Sequence, residues 1–146
     1  MAQIVVEVSR QVEASAPEAF EVISDFERNP SWQKGMRSCR WTTDPPLRVG
    51  STYVQEAGFL GRTIESTFEV IEYEPGRRVK ATTIAGSFPI TFARTVTPSD
   101  GGARIDARIE GDASGFFRIA TPLMRFMVRR SIEADYDRLA RMLEQG

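Results

Sequence analysis

Polar side chains interrupt otherwise apolar stretches of the sequence, and they are the residues best suited to bind or act on a small molecule. Successive side chains of an extended strand point to opposite faces, so Gln55 shares a face with Tyr53. The same spacing places Ser66 beside Phe68, and it places Arg94 on the apolar face of its own strand. Burying an unpaired charge costs on the order of several kcal/mol. We therefore expect these groups to reach water, to pair with one another or to contact a ligand.

Each of these groups also has a structural explanation. Arg94 is either a strand-end residue that extends to solvent or pairs with an acid, or an anchor for a ligand carboxylate or carbonyl. Asp135 falls in the apolar stripe of the last helix, where an ion pair with a nearby arginine would account for it. Tyr53, Gln55 and Ser66 need hydrogen-bond partners when buried, and either cavity water or a ligand would supply them.

The residue types that are missing exclude several kinds of chemistry. The sequence has no histidine and a single cysteine, Cys39, which removes the usual general base and the commonest metal ligand. Nucleophiles paired with histidine are excluded, and a zinc site is not expected. The glycines Gly58 and Gly61 lack the spacing of a phosphate-binding loop. We therefore expect neither a metal nor a cofactor.

Length and charge limit the class of protein. A chain of 146 residues predicts one ligand-binding domain over residues 1–146. The 19 basic and 20 acidic residues give a net charge of -1, so no nucleic-acid partner is expected. The single cysteine is typical of a reducing compartment, and no signal peptide or membrane-spanning stretch is recognised. We expect a cytoplasmic protein with no integral membrane association, either a monomer or a homodimer.

Two short helices are predicted after the first strand. Ser15 and Glu18 have the spacing of a capping box at the start of a helix. Asn29-Pro30 is typical of a second start, with an asparagine cap and proline at the first helical position. The pattern therefore predicts a break near Asp25 and an end to the second helix at about residues 32–34.

The rest of the chain predicts a sheet and one long helix. Alternating apolar and polar residues between turn signals predict strands at residues 4–13, 38–42, 52–59, 62–74, 78–84, 87–97 and 103–112. The short connections between the later strands favour antiparallel pairing. A helix of about 24 residues begins at Pro122, capped by Thr121, and its apolar stripe carries Met124, Val128 and Ile132. A helix of this length, about 36 Å, needs the sheet as its partner, and we expect a space between the two.

Seven short motifs along the chain resemble one known superfamily in their order and spacing. They are Ala14-Ser15-Ala16-Pro17-Glu18, Val22-Ile23-Ser24-Asp25, Pro30-Ser31-Trp32, Gly50-Ser51-Thr52-Tyr53, Val70-Ile71-Glu72-Tyr73-Glu74-Pro75, Gly101-Gly102-Ala103-Arg104-Ile105 and Asp135-Tyr136-Asp137-Arg138-Leu139. The chain resembles the START-like superfamily, in the polyketide cyclase/dehydrase and lipid-transport branch called the SRPBCC group. The resemblance covers essentially the whole sequence.

This resemblance implies an α+β helix-grip fold. In that fold a curved antiparallel sheet of about seven strands holds the C-terminal helix, in the order β-α-α-β6-α. Members bind apolar or amphipathic molecules such as lipids, quinones and polyketides, and a minority are enzymes. They share no catalytic motif, so the resemblance assigns no catalytic residue to this chain.

Three functions are compatible with these observations. We first interpret the chain as a binder of a small hydrophobic or amphipathic molecule, held in a cavity between the sheet and the C-terminal helix. One alternative is a polyketide aromatase/cyclase or dehydratase without histidine or metal, whose acid/base work would fall to Tyr53, Arg94, Asp135 or an inward glutamate such as Glu56. Another is a partner-binding module that uses the basic helix face around Arg129 and Arg130.

The expected ligand-binding residues combine the polar groups above with aromatic and flexible apolar side chains. They are Trp32, Tyr53, Gln55, Ser66, Phe68, Phe88, Phe92, Arg94, Met124, Met127 and Val128. The two methionines are included because their flexible side chains adapt to irregular apolar shapes. Phe116 and Phe117, just before the long helix, are expected either to gate the entrance or to anchor the helix.

Overall fold

The computed structural model describes residues 3–59, 61–86, 89–112 and 122–145. In chain order the elements are β1 (Gln3–Val12), α1 (Ala16–Ser24), a 3-10 helix (Phe26–Ser31), β2 (Met36–Trp41), β3 (Thr52–Phe59), β4 (Arg62–Glu74), β5 (Arg78–Ala85), β6 (Ile90–Ser99), β7 (Gly102–Asp112) and α2 (Pro122–Gln145). No helix among the described residues is both long enough and apolar enough to cross a membrane.

The strands form one curved, antiparallel, seven-stranded sheet. Their spatial order is β1-β7-β6-β5-β4-β3-β2, so β2 to β7 follow one another as a meander and β1 closes the sheet beside β7. The predicted antiparallel pairing is confirmed for every neighbouring pair. Because of this order, residues from both ends of the chain lie on one concave face.

Most predicted boundaries agree with the structure to within three residues. The predicted ranges of β3 and β4 are unchanged, and β5 ends one residue later than predicted. β2 begins at Met36 and ends at Trp41, although Thr42 N–H still donates to Thr52 O at 2.9 Å. β6 begins at Ile90, whereas the prediction began at residue 87, and residues 87 and 88 lie outside the described ranges.

The capping prediction is confirmed for α1 and wrong for the second helix. Glu18 N–H donates to Ser15 Oγ at 3.3 Å, and the Ser15 hydroxyl donates to Glu18 Oε1 at 2.9 Å. The 3-10 helix is capped by Asp25, whose Oδ1 accepts from Glu27 N–H at 3.3 Å. Asn29 lies inside that helix and is buried, because its side chain points into the protein instead of capping a helix end.

The core lies between the concave sheet face and the helices. α1 packs on β6 and β7, while α2 contacts β1 most extensively. The C-terminal half of α2 is anchored by Tyr136, Leu139 and Leu143, all buried. Its N-terminal half is not anchored in this way, since Val128 and Ile132 are only partly buried. α2 is therefore held at one end and along one edge of the sheet.

One glycine is required where β1 meets β7. A Cβ atom built on Gly102 would lie 2.0 Å from Val12 O, a backbone atom that cannot rotate away. At Gly76 a Cβ atom would meet nothing within 4 Å, although φ is +79°. The β1–β7 contact therefore leaves no room for a side chain at residue 102.

We predict that Gly102→Ala lowers the free energy of unfolding by more than about 3 kcal/mol, because the β1–β7 pair must separate to admit the methyl group. The matched control Gly76→Ala is expected to cost about 1–2 kcal/mol, the ordinary cost of a side chain in left-handed backbone. Urea denaturation measures both. Equal losses in the two variants would contradict this account of the β1–β7 contact.

Candidate functional site

A mainly apolar space lies between the concave sheet face and the N-terminal half of α2. Its volume is about 190 Å³. The apolar lining residues among those described are Ile4, Val6, Ala57, Ile64, Ile90, Ile109, Val128 and Ile132. Two polar side chains, Gln55 and Ser66, also line this space. The geometry arises because α2 is anchored by its other half, so its partly buried apolar residues stand over the sheet.

A second, more polar space adjoins the first. Its volume is about 130 Å³, and it shares Gln55, Ile90, Ile109 and Ile132 with the apolar space. The remaining lining residues are Asn29, Gln33, Met36, Phe68, Phe92, Arg94, Asp135 and Tyr136. We call the two the apolar space and the polar space.

Gln55 and Ser66 lie directly opposite each other on β3 and β4. Their exposed fractions are 7% and 3%, and neither side chain forms a hydrogen bond in the described part of the chain. Gly86 packs against Ser66, since a Cβ atom there would lie 3.1 Å from Ser66 Oγ. The two polar groups therefore keep free hydrogen-bonding capacity where they face the apolar space.

Arg94 is buried at the wall of the polar space, with an exposed fraction of 2%. Its Nη1 donates to Ile23 O at 2.9 Å and to Asn29 Oδ1 at 3.0 Å. Its Nε is buried and has no hydrogen-bond partner among the described residues. The side chain thus joins β6 to the end of α1 and to the 3-10 helix through Nη1 alone.

Aromatic rings surround the guanidinium. The Cζ atom of Arg94 lies 4.8 Å from the ring centroid of Trp32, 4.9 Å from that of Phe92 and 5.2 Å from that of Phe26. Cation–π attraction of this kind stabilises a buried cation by about 0.5–2 kcal/mol. Ring faces attract the positive charge, but they do not neutralise it.

The Tyr53 hydroxyl and the Cys39 thiol lie near Arg94, and burial keeps both groups protonated. Burial raises the pKa of Tyr53 well above its usual value, and its hydroxyl oxygen has no hydrogen-bond partner. Burial likewise raises the pKa of Cys39 to about 11, against the weaker effects of Asn29 and Arg94. Neither group therefore provides a negative charge for Arg94 near neutral pH.

Asp135 lines the polar space from α2, where it joins the helix to the loop before β2. Its Oδ1 accepts from Lys34 N–H at 3.1 Å and from the Arg138 guanidinium. Burial raises the pKa of Asp135, although the Lys34 N–H and Arg138 oppose this effect. The arginine partner expected from the sequence is thus present, one helical turn away.

The structure separates the sequence-predicted site residues into several groups. Gln55, Ser66, Phe68, Phe92, Arg94 and Val128 line the two spaces. Trp32 and Tyr53 are buried behind the lining, and Met124 packs against the core. The Met127 side chain is 52% exposed and lines neither space. Phe88, Phe116 and Phe117 lie outside the described residues.

The sequence interpretation missed two polar residues, Asn29 and Gln33, and part of the apolar lining. Asn29 was interpreted as a helix cap, yet its Oδ1 binds Arg94. Ile4, Val6 and Ile109 line the apolar space but were not predicted, because period-2 alternation does not say which inward residues of a strand face α2. No group of three or more Cys, Asp or Glu residues in the described ranges is arranged to hold a metal ion.

We predict that Cys39 reacts with Ellman's reagent far more slowly in the native protein than in the denatured protein. With a pKa of about 11, on the order of one thiol in a thousand is ionised at about pH 8. Because folding raises the pKa of this thiol, its contribution to the free energy of unfolding is fully present below the pKa of the unfolded state. That contribution is lost as the pH rises toward 11. Equal native and denatured rates of reaction would contradict the burial of this thiol.

Solved structures share this fold over nearly their whole length. TTHA0849 from Thermus thermophilus has a TM-score of 0.78 at 16% identity, covering 95% of this chain and 96% of that chain. DR_A0006 from Deinococcus radiodurans has a TM-score of 0.71 at 19% identity, covering 97% and 98%. Ginseng major latex-like protein 151 from Panax ginseng has a TM-score of 0.68 at 11% identity, covering 96% and 99%. At these identities the similarity establishes the helix-grip fold alone.

The family assignment rests on the sequence itself. A comparison with curated proteins finds no significant match. Residues 3–144 match the family described as "Polyketide cyclase / dehydrase and lipid transport". Because that match spans almost all of the 146 residues, the chain belongs to the polyketide cyclase/dehydrase and lipid-transport family, as its motifs predicted.

Proposed function

We propose that this protein binds a small hydrophobic or amphipathic molecule between the concave sheet face and α2. The observation that carries the proposal is an apolar space of about 190 Å³ whose two polar lining residues, Gln55 and Ser66, have free hydrogen-bonding capacity. Pockets lined mainly by apolar side chains, with a few convergent polar groups, are typical of small-molecule sites. The family description, which includes lipid transport and polyketide cyclase, supports the same class of ligand.

The volume favours a compact ligand. An apolar cavity of about 150 Å³ holds a benzene-sized molecule, so the apolar space of about 190 Å³ suits one or two fused rings. Removing about 200 Å² of apolar surface from water gives about 5 kcal/mol. Association entropy offsets several kcal/mol of this gain. We therefore expect micromolar to millimolar affinity from apolar burial alone, with polar contacts adding to it.

A polyketide cyclase or dehydratase activity is the second candidate, because Arg94 and Asp135 line the same polar space. A cation and a carboxyl group with a raised pKa are suitable for polarising a carbonyl and moving a proton. If the protein only binds its ligand, a β-diketone such as benzoylacetone is bound and recovered unchanged. The enzyme hypothesis is favoured if the wild type speeds the loss of deuterium from the α-carbon of deuterated benzoylacetone and Arg94→Met does not.

We predict that Val128→Phe weakens the binding of naphthalene about tenfold or more, because the larger side chain occupies the apolar space. The matched control is Ile71→Phe, which adds the same ring at a position that is 37% exposed on β4. Naphthalene fluorescence titration measures both, and the control is expected to bind like the wild type.

Two results would overturn the proposed function. One is that the wild type does not bind naphthalene and its thermal unfolding is unchanged by it. The other is that Val128→Phe, when folded, binds naphthalene as tightly as the wild type does. Native mass spectrometry of the purified protein is an independent check, since a retained apolar guest would be displaced in Val128→Phe.

A further inference from the structure

We propose that the ligand is an organic anion, with its apolar body in the apolar space and a carboxylate-type head in the polar space against Arg94. This inference rests on the proposed function and adds the charge and orientation of the ligand. It follows from a buried cation that has no counter-charge among the described residues, and from the adjacency of the two spaces, which share Gln55, Ile90, Ile109 and Ile132 in their linings.

The described residues offer Arg94 no anionic partner. All 20 acidic residues of the sequence fall within the described ranges, and no ion pair joins any of them to Arg94 there. Its Nη1 partners are a backbone carbonyl and the amide oxygen of Asn29, both uncharged. Burying a charge with no opposite charge is costly. An anionic ligand would therefore gain binding free energy by pairing with the Arg94 guanidinium.

Two carboxylates in this region, Asp135 and Glu27, are already engaged elsewhere. Asp135 lines the polar space, but it is bound to Arg138 and to Lys34 N–H. The charge of Glu27 helps to raise the pKa of Cys39, yet the Glu27 side chain is exposed and its Oε2 accepts from Trp41 N–H at 3.0 Å. Both acids are therefore held in other contacts, and a ligand anion would not displace either of them from Arg94.

The unsatisfied donor of Arg94 gives the head group a specific partner. Nε has no hydrogen-bond partner, and Nη2 forms none among the described residues. These two nitrogens lie on the same edge of a guanidinium, and a carboxylate can accept from both at once. Gln33, which lines the polar space, has a buried Oε1 without a partner. Exchanging its amide oxygen and nitrogen would present a further donor to the same head group.

The aromatic rings restrict where the head group can lie. Trp32, Phe92 and Phe26 each lie near the guanidinium, with their ring centroids about 5 Å from Cζ. Nη1 is held by Asn29 and by the end of α1. The Nε edge is therefore the part of the guanidinium left for a ligand, and it belongs to a residue that lines the polar space.

The test compares two ligands of nearly the same shape, 2-naphthoate and 2-naphthamide, by isothermal titration calorimetry at neutral pH. In the wild type we expect the anion to bind about tenfold or more tightly than the neutral amide, because charge-assisted hydrogen bonds are the stronger kind. Arg94→Met, which keeps an unbranched apolar stem but removes the guanidinium, is expected to abolish or reverse this preference. Arg94→Lys is expected to retain part of it.

The outcomes separate this inference from the proposed function. Equal wild-type affinity for the two ligands would overturn the anion proposal while leaving apolar binding intact. Absence of binding for naphthalene, 2-naphthoate and 2-naphthamide would overturn both. The wild-type comparison needs no variant, so the test stands even if Arg94→Met fails to fold. A folded Arg94→Met that still prefers 2-naphthoate tenfold would also overturn the role given to Arg94.

Discussion

The burial of the Arg94 guanidinium is the interaction on which the site depends. One side chain from β6 joins the last turn of α1, through Ile23 O, to the 3-10 helix, through Asn29 Oδ1. Each of these hydrogen bonds satisfies a buried acceptor that would otherwise cost about 1–3 kcal/mol. Arg94 therefore holds together the two helices that close one end of the sheet. Because no acidic residue in the described part of the chain pairs with it, the same residue also gives the interior an excess of positive charge.

The anchoring of α2 explains why there is space beside that charge. The helix is fixed by buried residues in its C-terminal half and packs mainly on β1. Its N-terminal half approaches the concave face with Val128 and Ile132, which are partly buried and line the apolar space. A better packed helix would be more stable, since apolar contact with the sheet is worth about 25 cal/mol per Å². Incomplete packing at this place is consistent with a site that gains its missing contacts from a ligand.

Most of the fold and part of the site could be predicted from the sequence. Alternation along the strands correctly placed Gln55, Ser66 and Arg94 on the inner face, because side-chain direction in a strand is fixed by the backbone alone. The role of Asn29 could not be predicted, since Asn-Pro has the same local pattern whether the asparagine caps a helix or turns inward to a distant strand. Met127 was expected in the lining, yet its side chain is 52% exposed and lines neither space. The sequence alone does not set the tilt of α2 on the sheet, which decides how far each helix residue is exposed.

A crystal structure of the protein with 2-naphthoate tests the central claim most directly. The account predicts naphthalene density among Ile64, Ile109 and Val128, with the carboxylate within hydrogen-bonding distance of Arg94 Nε. Side chains from α2 and the sheet that meet without a gap, or a carboxylate that points to solvent away from Arg94, would contradict it.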